Sequence, residues 1–253
     1  MMRILLLSLI ICFFMPATAQ SIRVMSYNIH HGNPPSLKDS IDLQAIAKVI
    51  NDAQVDIVGI QEVDIHVSRS NMENQAERLA ELTGMDYYFS KGIDLEKGNY
   101  GTLILSKHKI VGKRRYDLPM PVASENRSLA IVDVQLPNGK KFSLANSHLD
   151  LHEENRIAQA TFITELVDLY SHPLILVGDL NAKPGSKPIQ VLDQHFIRNT
   201  ETNAPTSPNI KPRNEIDFIM LLNNVPFSWK SYQVLPISYP SDHLPVLAEI
   251  ELK

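Results

Sequence analysis

Runs rich in branched apolar residues recur along the chain: "IRVMSYNI", "VDIVGI", "GTLILS", "SLAIVDVQL", "KFSLANSHL", "LILVGD", "EIDFIMLL" and "LPVLAEI". Each has strand length and many are apolar at nearly every position, as a strand covered on both faces requires. Between them lie two stretches with helical spacing, one around Leu43, Ile46, Ala47 and Ile50, the other around Ala76, Leu79, Ala80 and Leu82 with Gly84 as its stop. A third helical pattern runs from about Glu153 to Tyr170. "PNGK" joins two of the apolar runs, and its Asn138-Gly139 pair is a hairpin signal, so antiparallel strands are mixed with helices. The pattern predicts an α/β fold, a four-layer α/β/β/α sandwich of two mixed, largely antiparallel sheets with outer helices.

Several runs deliver polar residues to their own ends. "SYNIHHG" ends a predicted strand with Asn28, "IVGIQEVD" with Glu62, "LANSHLD" with His148 and Asp150, and "GDLN" with Asp179 and Asn181. "NEIDFI" puts Asp217 at a strand start, and "SDHLP" puts Asp242 and His243 just before the last strand. Each has a bland explanation, since Asp, Asn and Gly close strands into turns by bonding to nearby backbone, and a histidine can sit in a core bonded to backbone. Taken together they are carboxylates, amides and imidazoles able to converge at one edge of a sandwich. Carboxylate and amide oxygens suit a hard divalent cation, and neutral imidazole takes a proton from water or stabilises developing charge. A metal with a general base is what attack on a phosphoester needs.

The N-terminal stretch changes the compartment. "MMRILLLSLIICFFMPATAQ" carries one Arg, an apolar run from Ile4 to Met15 and the small residues Ala17 and Ala19. That run is shorter than the ~20 residues that span a bilayer and reads as a signal peptide over residues 1–19, cleaved before Gln20. The expected product is exported, periplasmic or extracellular, with no transmembrane segment after cleavage. Cys12, the single cysteine, follows Ile10 and Ile11 where lipoprotein processing expects small side chains, so it belongs to the discarded segment. Residues 20–253 then form one catalytic domain, with no Gly/Ser linker or solenoid repeat to divide them. They hold 23 basic and 28 acidic residues, a formal charge of −5, which counts against a long nucleic-acid partner unless a local basic groove exists.

In order, "SYNIHHG", "QEVD", "NYGTLILS", "ENRSLA", "HLD", "GDLN", "IDFI" and "SDHLPV" resemble the endonuclease/exonuclease/phosphatase superfamily, which includes deoxyribonucleases, abasic-site endonucleases, sphingomyelinases and inositol polyphosphate 5-phosphatases. The resemblance implies a four-layer sandwich with its metal site where the sheets meet. It implies Mg2+, with Mn2+ or Ca2+ as substitutes, held mainly by Glu62, with Asn28 and Asp242 lining the metal site directly or through water. It makes Asp179 and Asn181 the residues that position the nucleophilic water and the scissile phosphate. His243 becomes the base or transition-state stabiliser, held by Asp217 as a carboxylate fixes a catalytic imidazole's tautomer. His148 is placed as a second phosphate-binding imidazole. Which of Asp179 and His243 removes the water proton stays open. Arg127 in "ENRSLA" is a candidate partner for a phosphate oxygen, and Tyr100 in "GNYGTL" a weaker candidate that packing also explains.

A dinuclear metallophosphoesterase of the calcineurin type needs Asn-His and His-x-His segments, and neither "GNH" nor "GH.H" occurs; the His30-His31 doublet stands too early in the chain. A fold retained only for binding would show missing ligands, yet all the matched positions are filled. The function expected is metal-assisted attack of an activated water on a phosphodiester or phosphomonoester. The substrate, a small molecule, a phospholipid head group or nucleic acid, stays open, so a secreted nuclease on DNA or RNA is the alternative, and a non-catalytic binding domain the second. No stable protein partner is implied. Specificity is expected in loops 66–75, 91–99 and 201–214. The basic stretch "KHKIVGKRR", residues 107–115, either lines the cleft or forms a solvated strand edge. His243 is expected near the cleft surface and not in the core.

Overall fold

The computed structural model describes residues 20–167, 170, 173–201, 204–223 and 227–252. The expected signal peptide, residues 1–19, lies outside the described residues. The chain forms β1 (Gln20–Asn28), α1 (Leu43–Asp52), β2 (Ile57–Ile65), α2 (Gln75–Thr83), β3 (Asp86–Leu95), β4 (Gly98–Ser106) and β5 (Lys109–Asp117). It continues with β6 (Ser128–Gln135), β7 (Lys141–His148), α3 (Glu153–Val167), β8 (Leu174–Asp179), α4 (Lys187–Leu192), β9 (Phe196–Arg198), β10 (Asp217–Leu222), β11 (Phe227–Val234) and β12 (Val246–Leu252). The three expected helices are present, and α2 stops at Gly84, whose left-handed backbone (φ 67°) closes the helix. The expected extension of α3 to Tyr170 crosses residues 168 and 169, outside the described residues.

Two six-stranded sheets, ordered β11-β12-β1-β2-β4-β3 and β5-β6-β7-β8-β10-β9, stack face to face. Ile22, Val24, Ile57 and Ile104 of the first sheet meet Val132, Leu144, Ile175 and Ile219 of the second to form the middle core. A second cluster packs Ile46 and Ile50 of α1 and Leu79 of α2 on the first sheet's outer face. A third packs Ile163 of α3 and Ile189 of α4 on the second. These are the four layers. Strands β2, β4, β7 and β8 are buried on both faces, which is why β2 and β8 are mostly apolar, while β7 buries the polar residues Ser143, Asn146, Ser147 and His148.

Each sheet contains one parallel pair, β1 with β2 and β7 with β8, and the rest is antiparallel. A parallel pair must be bridged by a crossover, here through α1 and α3, so both strands of a pair end on the same side. The C-terminal ends of the two pairs lie at one end of the sandwich. Registers then bring the remaining residues there: Asp217, opening β10, pairs opposite Asp179 at the end of β8, and His148 pairs beside Asp179. Strand β12 is antiparallel to β1, so His243, just before it, falls near Asn28.

Glu62 reaches this end differently from expectation. Strand β2 does not stop there but runs on to Ile65, and its register against β4 slips between Ile60 and Val63. This bulge puts Glu62 in left-handed backbone, φ 60°. A bulge re-aims a side chain that regular pleating would direct elsewhere. It also disturbs the ladder, and Asn146, wholly buried on β7, donates to the Ile60 and Leu103 carbonyls at 3.0 Å each. Gln61 Nε2 donates to Asn146 Oδ1 at 2.8 Å, closing a polar bridge between the sheets beneath the bulge.

The loop expectations are met unevenly. Residues 91–99 are mostly the paired ends of β3 and β4, not a loop. Residues 66–75 hold a short 3-10 turn, Ser68–Ser70, and the start of α2. Residues 201–214, apart from 202 and 203 outside the described residues, are closed by a Ser207–Asn214 bridge. The basic stretch 107–115 lies largely on β5, the edge of the second sheet, and Arg114 and Arg115 are paired with Asp133 and Asp117. It is a strand edge, where cations discourage pairing with another chain.

Candidate active site

Asn28 stands at the centre of the converging residues. Its Oδ1 accepts from the His30 backbone N–H at 3.0 Å. A backbone N–H can only donate, so this bond fixes the amide orientation and turns Nδ2 toward two carboxylates. Nδ2 donates to Glu62 Oε1 at 2.9 Å and to Asp179 Oδ2 at 3.0 Å, tying one sheet to the other. Asn28 therefore organises the two acids through its N–H groups, and its oxygen is engaged by backbone. Asp179 Oδ1 accepts from the Asn181 backbone N–H at 2.9 Å, and Asn181 Nδ2 donates to the Leu149 carbonyl at 3.0 Å. Asn181 takes left-handed backbone, φ 48°, to make that turn. Ahead of it, a Cβ on Gly178 would lie 2.1 Å from the Ser147 carbonyl oxygen, so only glycine lets β8 run this close to β7.

Two imidazoles face the same Asp179 oxygen, Oδ2, to which Asn28 donates. His148 Nε2 is 3.5 Å and His243 Nε2 3.8 Å from Asp179 Oδ2. Their second nitrogens differ. His243 Nδ1 lies 2.8 Å from Asp217 Oδ2, and the Thr206 hydroxyl donates to the same oxygen. His148 Nδ1 instead lies 3.2 Å from Arg127 Nη1. A guanidinium has no acceptor, so Nδ1 of His148 must carry the lone pair, and its proton is on Nε2, aimed into the site. Arg127 is also paired with Glu125 at 2.8 Å.

Electrostatics separate the two rings further. Burial and the neighbouring Arg127 cation push His148 down to about 3, so it is neutral. Burial would depress His243 as well, but the Asp217 carboxylate, then Asp179, outweigh it and lift the ring to about 10. Burial, with the Asp217 charge added, raises Asp179 to about 7. Burial works in the same direction on Glu62, yet His31 and Asn28 beside it hold its carboxyl far below the usual carboxylate range. The site thus pairs an ionised Glu62 with an acid raised toward neutrality, one neutral imidazole and one charged one.

His243 is 7% exposed, which corrects the expectation that it stands near the surface of the cleft: its ion pair with Asp217 draws it inward. Asp242 lies with its carboxylate 3.4 Å from Ser241 Oγ, whose hydroxyl donates to the Asn28 carbonyl at 2.7 Å. Tyr100 is buried; burial and the Glu62 charge raise its phenol, and the Arg69 guanidinium sits 5.2 Å from its ring centre. It shares with Arg127 and His148 a cavity of about 10 Å³, room for one water. Thr206 and His31 were not singled out by sequence. Thr206 offers no pattern in "APTSP", while the doublet His30-His31 is visible but its direction is not.

The Endonuclease/Exonuclease/phosphatase family model matches residues 25–243, the span from β1 to His243. The chain belongs to the endonuclease/exonuclease/phosphatase family. The fold is shared with solved structures at low identity. An endonuclease/exonuclease/phosphatase family protein from Bacteroides thetaiotaomicron is 23% identical with TM-score 0.79, over 93% of this chain and 99% of that one. A mannosyl-6-phosphatase from the same organism is 23% identical with TM-score 0.76, over 90% and 99%. The human Nocturnin catalytic domain is 21% identical with TM-score 0.72, over 92% and 94%. Among curated proteins none matches the chain.

Members of this family are hydrolases of phosphoester bonds and are generally dependent on a divalent metal. Among the described residues, two places offer ligands. Asp179, Asp217 and His243 have ligand atoms within 4.8 Å of one another, but they are deeply buried, with Asp217 Oδ2 engaged by His243 and Thr206 and Asp179 Oδ2 by Asn28. Glu62 is ionised and 21% exposed on its side chain, with Oε2 turned from Asn28 toward His31. A carboxylate kept charged against the cost of burial fits a hard cation, and Glu62 is the residue that would hold it.

Proposed function

We propose that the chain hydrolyses a phosphoester through a water activated at Asp179, with Glu62 holding a divalent ion such as Mg2+ or Mn2+. The reading is carried by one observation: Asp179 Oδ2 is faced by the Nε2 atoms of one imidazole held neutral and another held charged. A histidine lifted to about 10 is protonated at neutral pH and cannot serve as base, whereas a carboxyl raised to about 7 can. In this mechanism the water oxygen forms the bond to phosphorus, its proton passes to Asp179, and the bond to the leaving oxygen breaks. His243, as imidazolium, and His148, through Nε2–H, donate to the phosphoryl oxygens as charge grows. Asn181 fixes Asp179 and its turn, Arg127 fixes the tautomer of His148, and Asp217 keeps His243 charged. The ion, when bound, neutralises negative charge on the phosphoryl group and leaving oxygen. The net charge of −5 over residues 20–253 favours a small phosphoester over long nucleic acid, and the likeness to a mannosyl-6-phosphatase adds sugar phosphates to the substrates worth testing.

The test is hydrolysis of a panel covering sugar phosphates, simple phosphodiesters, sphingomyelin, phosphatidylinositol, DNA and RNA, with Mg2+, with Mn2+ and with chelator. Turnover of at least one member that chelator abolishes is expected. Undiminished turnover in chelator removes the ion from the mechanism, and no turnover of any member favours a binding domain. Export with cleavage before Gln20 belongs to the same proposal and rests on the apolar run ending in "ATA". Mass spectrometry of the protein from its own host should find Gln20 at the N-terminus; a lipid on Cys12 would overturn it.

A further inference from the structure

Resting on the reading that an ion sits at Glu62, we propose that His31 is a second, nitrogen ligand of that ion, so that the site prefers a first-row transition ion to Mg2+. Nδ1 of His31 is buried and, among the described residues, has no hydrogen-bond partner. A buried ring nitrogen is ordinarily satisfied, and one left unpaired calls for a reason. Glu62 Oε2 lies 3.8 Å from this nitrogen, too far for a hydrogen bond. Two donors each about 2.0–2.2 Å from one ion stand at most about 4.4 Å apart, so the 3.8 Å separation is one that a single ion would span.

The backbone on both sides is bent to hold that arrangement. His30 and His31 take successive left-handed conformations, φ 48° and 43°, which residues with a Cβ adopt at a cost. Glu62, across the gap, takes a third at φ 60° on its bulge. The turn is clamped: His30 N–H donates to Asn28, Gln75 Nε2 donates to the His31 carbonyl at 2.6 Å, and the two histidine rings pack 4.4 Å apart. The turn that carries His31 and the bulge that carries Glu62 are thus both held in place, facing each other across this gap. His30 does not share the role, because its Nδ1 is engaged with the Asn33 carbonyl at 2.9 Å. An imidazole beside a carboxylate shifts preference from Mg2+ toward later divalent ions, which bind nitrogen more strongly.

The experiment loads the full chain with Mn2+ and records pulsed electron paramagnetic resonance for nitrogen-14 coupling from a coordinated imidazole, beside titrations of Mn2+ and Mg2+. Wild type should show the coupling, and His31→Asn, which tolerates left-handed backbone, should lose it. Mn2+ affinity should fall by about tenfold or more, at least what loss of an outer-shell partner costs, and Mg2+ affinity by less. His31→Gly, which adopts positive φ freely, should do the same and guards against a folding defect in the first variant. Mn2+ binding that Glu62→Gln abolishes but that shows no imidazole coupling, with affinity unchanged by the His31 variants, overturns the role of His31 alone. Mn2+ binding indifferent to Glu62→Gln overturns the ion site itself, and this inference with it.

Discussion

Replacing Asp217 by Asn tests the assignment of charge in the site. Asp217 is 1% exposed and is the main attraction that overcomes burial and lifts His243 to about 10, while its charge also helps raise Asp179 to about 7. The kcat/KM profile of the wild type should therefore be a bell, rising as Asp179 loses its proton and falling as His243 loses its own. In Asp217→Asn the isosteric amide still accepts from His243 Nδ1–H, but the negative charge is gone. If the ring returns to the ordinary histidine value of about 6.5, roughly 3% of it is protonated at pH 8, a loss of about thirtyfold in rate. Burial without a counter-charge drives the ring lower still, so thirtyfold is a lower bound. Asp179, relieved of a like charge, also titrates lower, and the whole bell moves toward acid. The assay is kcat/KM from pH 5 to pH 10.5 at saturating Mn2+ in both proteins, since carboxylate protonation also weakens metal binding. A descending limb that stays near its wild-type position in Asp217→Asn would refute the charged His243, and with it the assignment of Asp179 as base.

Two substitutions probe the frame that aims the site. Asn146→Leu should strand the Ile60 and Leu103 carbonyls beneath the bulge and cost ~2–5 kcal/mol, lowering Tm by ~5–15 °C and loosening Glu62 enough to weaken Mn2+ binding; a wild-type melting curve would show the bulge needs no such support. Gly178→Ala puts a Cβ 2.1 Å from the Ser147 oxygen and must part β7 from β8 one residue before Asp179, so activity should fall by far more than tenfold while the remaining fold still melts cooperatively; unaltered kcat would mean the strands tolerate separation.

The pattern of what the chain displays is itself physical. All eight apolar runs correspond to inner strands, and the four strands without such a run, β3, β5, β9 and β11, are the outer strands of the two sheets. An edge strand is covered less completely, so its apolar content is diluted: β5 alternates exposed and half-buried residues along its whole length, and β11 is nowhere fully buried. Helix α4 spans Lys187–Leu192, too short for a helical period to register. The bulge in β2 was invisible for another reason. "IVGIQEVD" fits a strand ending at Glu62 as well as one that kinks there, and the choice depends on Asn146, distant in sequence, supplying the missing hydrogen bonds.

By itself the sequence determined the layered α/β class, the inner strands, the main helices, and which residue types carry the chemistry, because burial periodicity and turn chemistry are local. The tertiary structure alone decided their relations. Registers set Asp217 opposite Asp179 and His148 beside it, and the contacts made by the second ring nitrogens, Asp217 for one and Arg127 for the other, left His243 charged and His148 neutral. Two identical side chains acquire opposite states because a proton's free energy depends on the charges and solvent within a few ångströms, and those neighbours arrive from strands far apart in the chain.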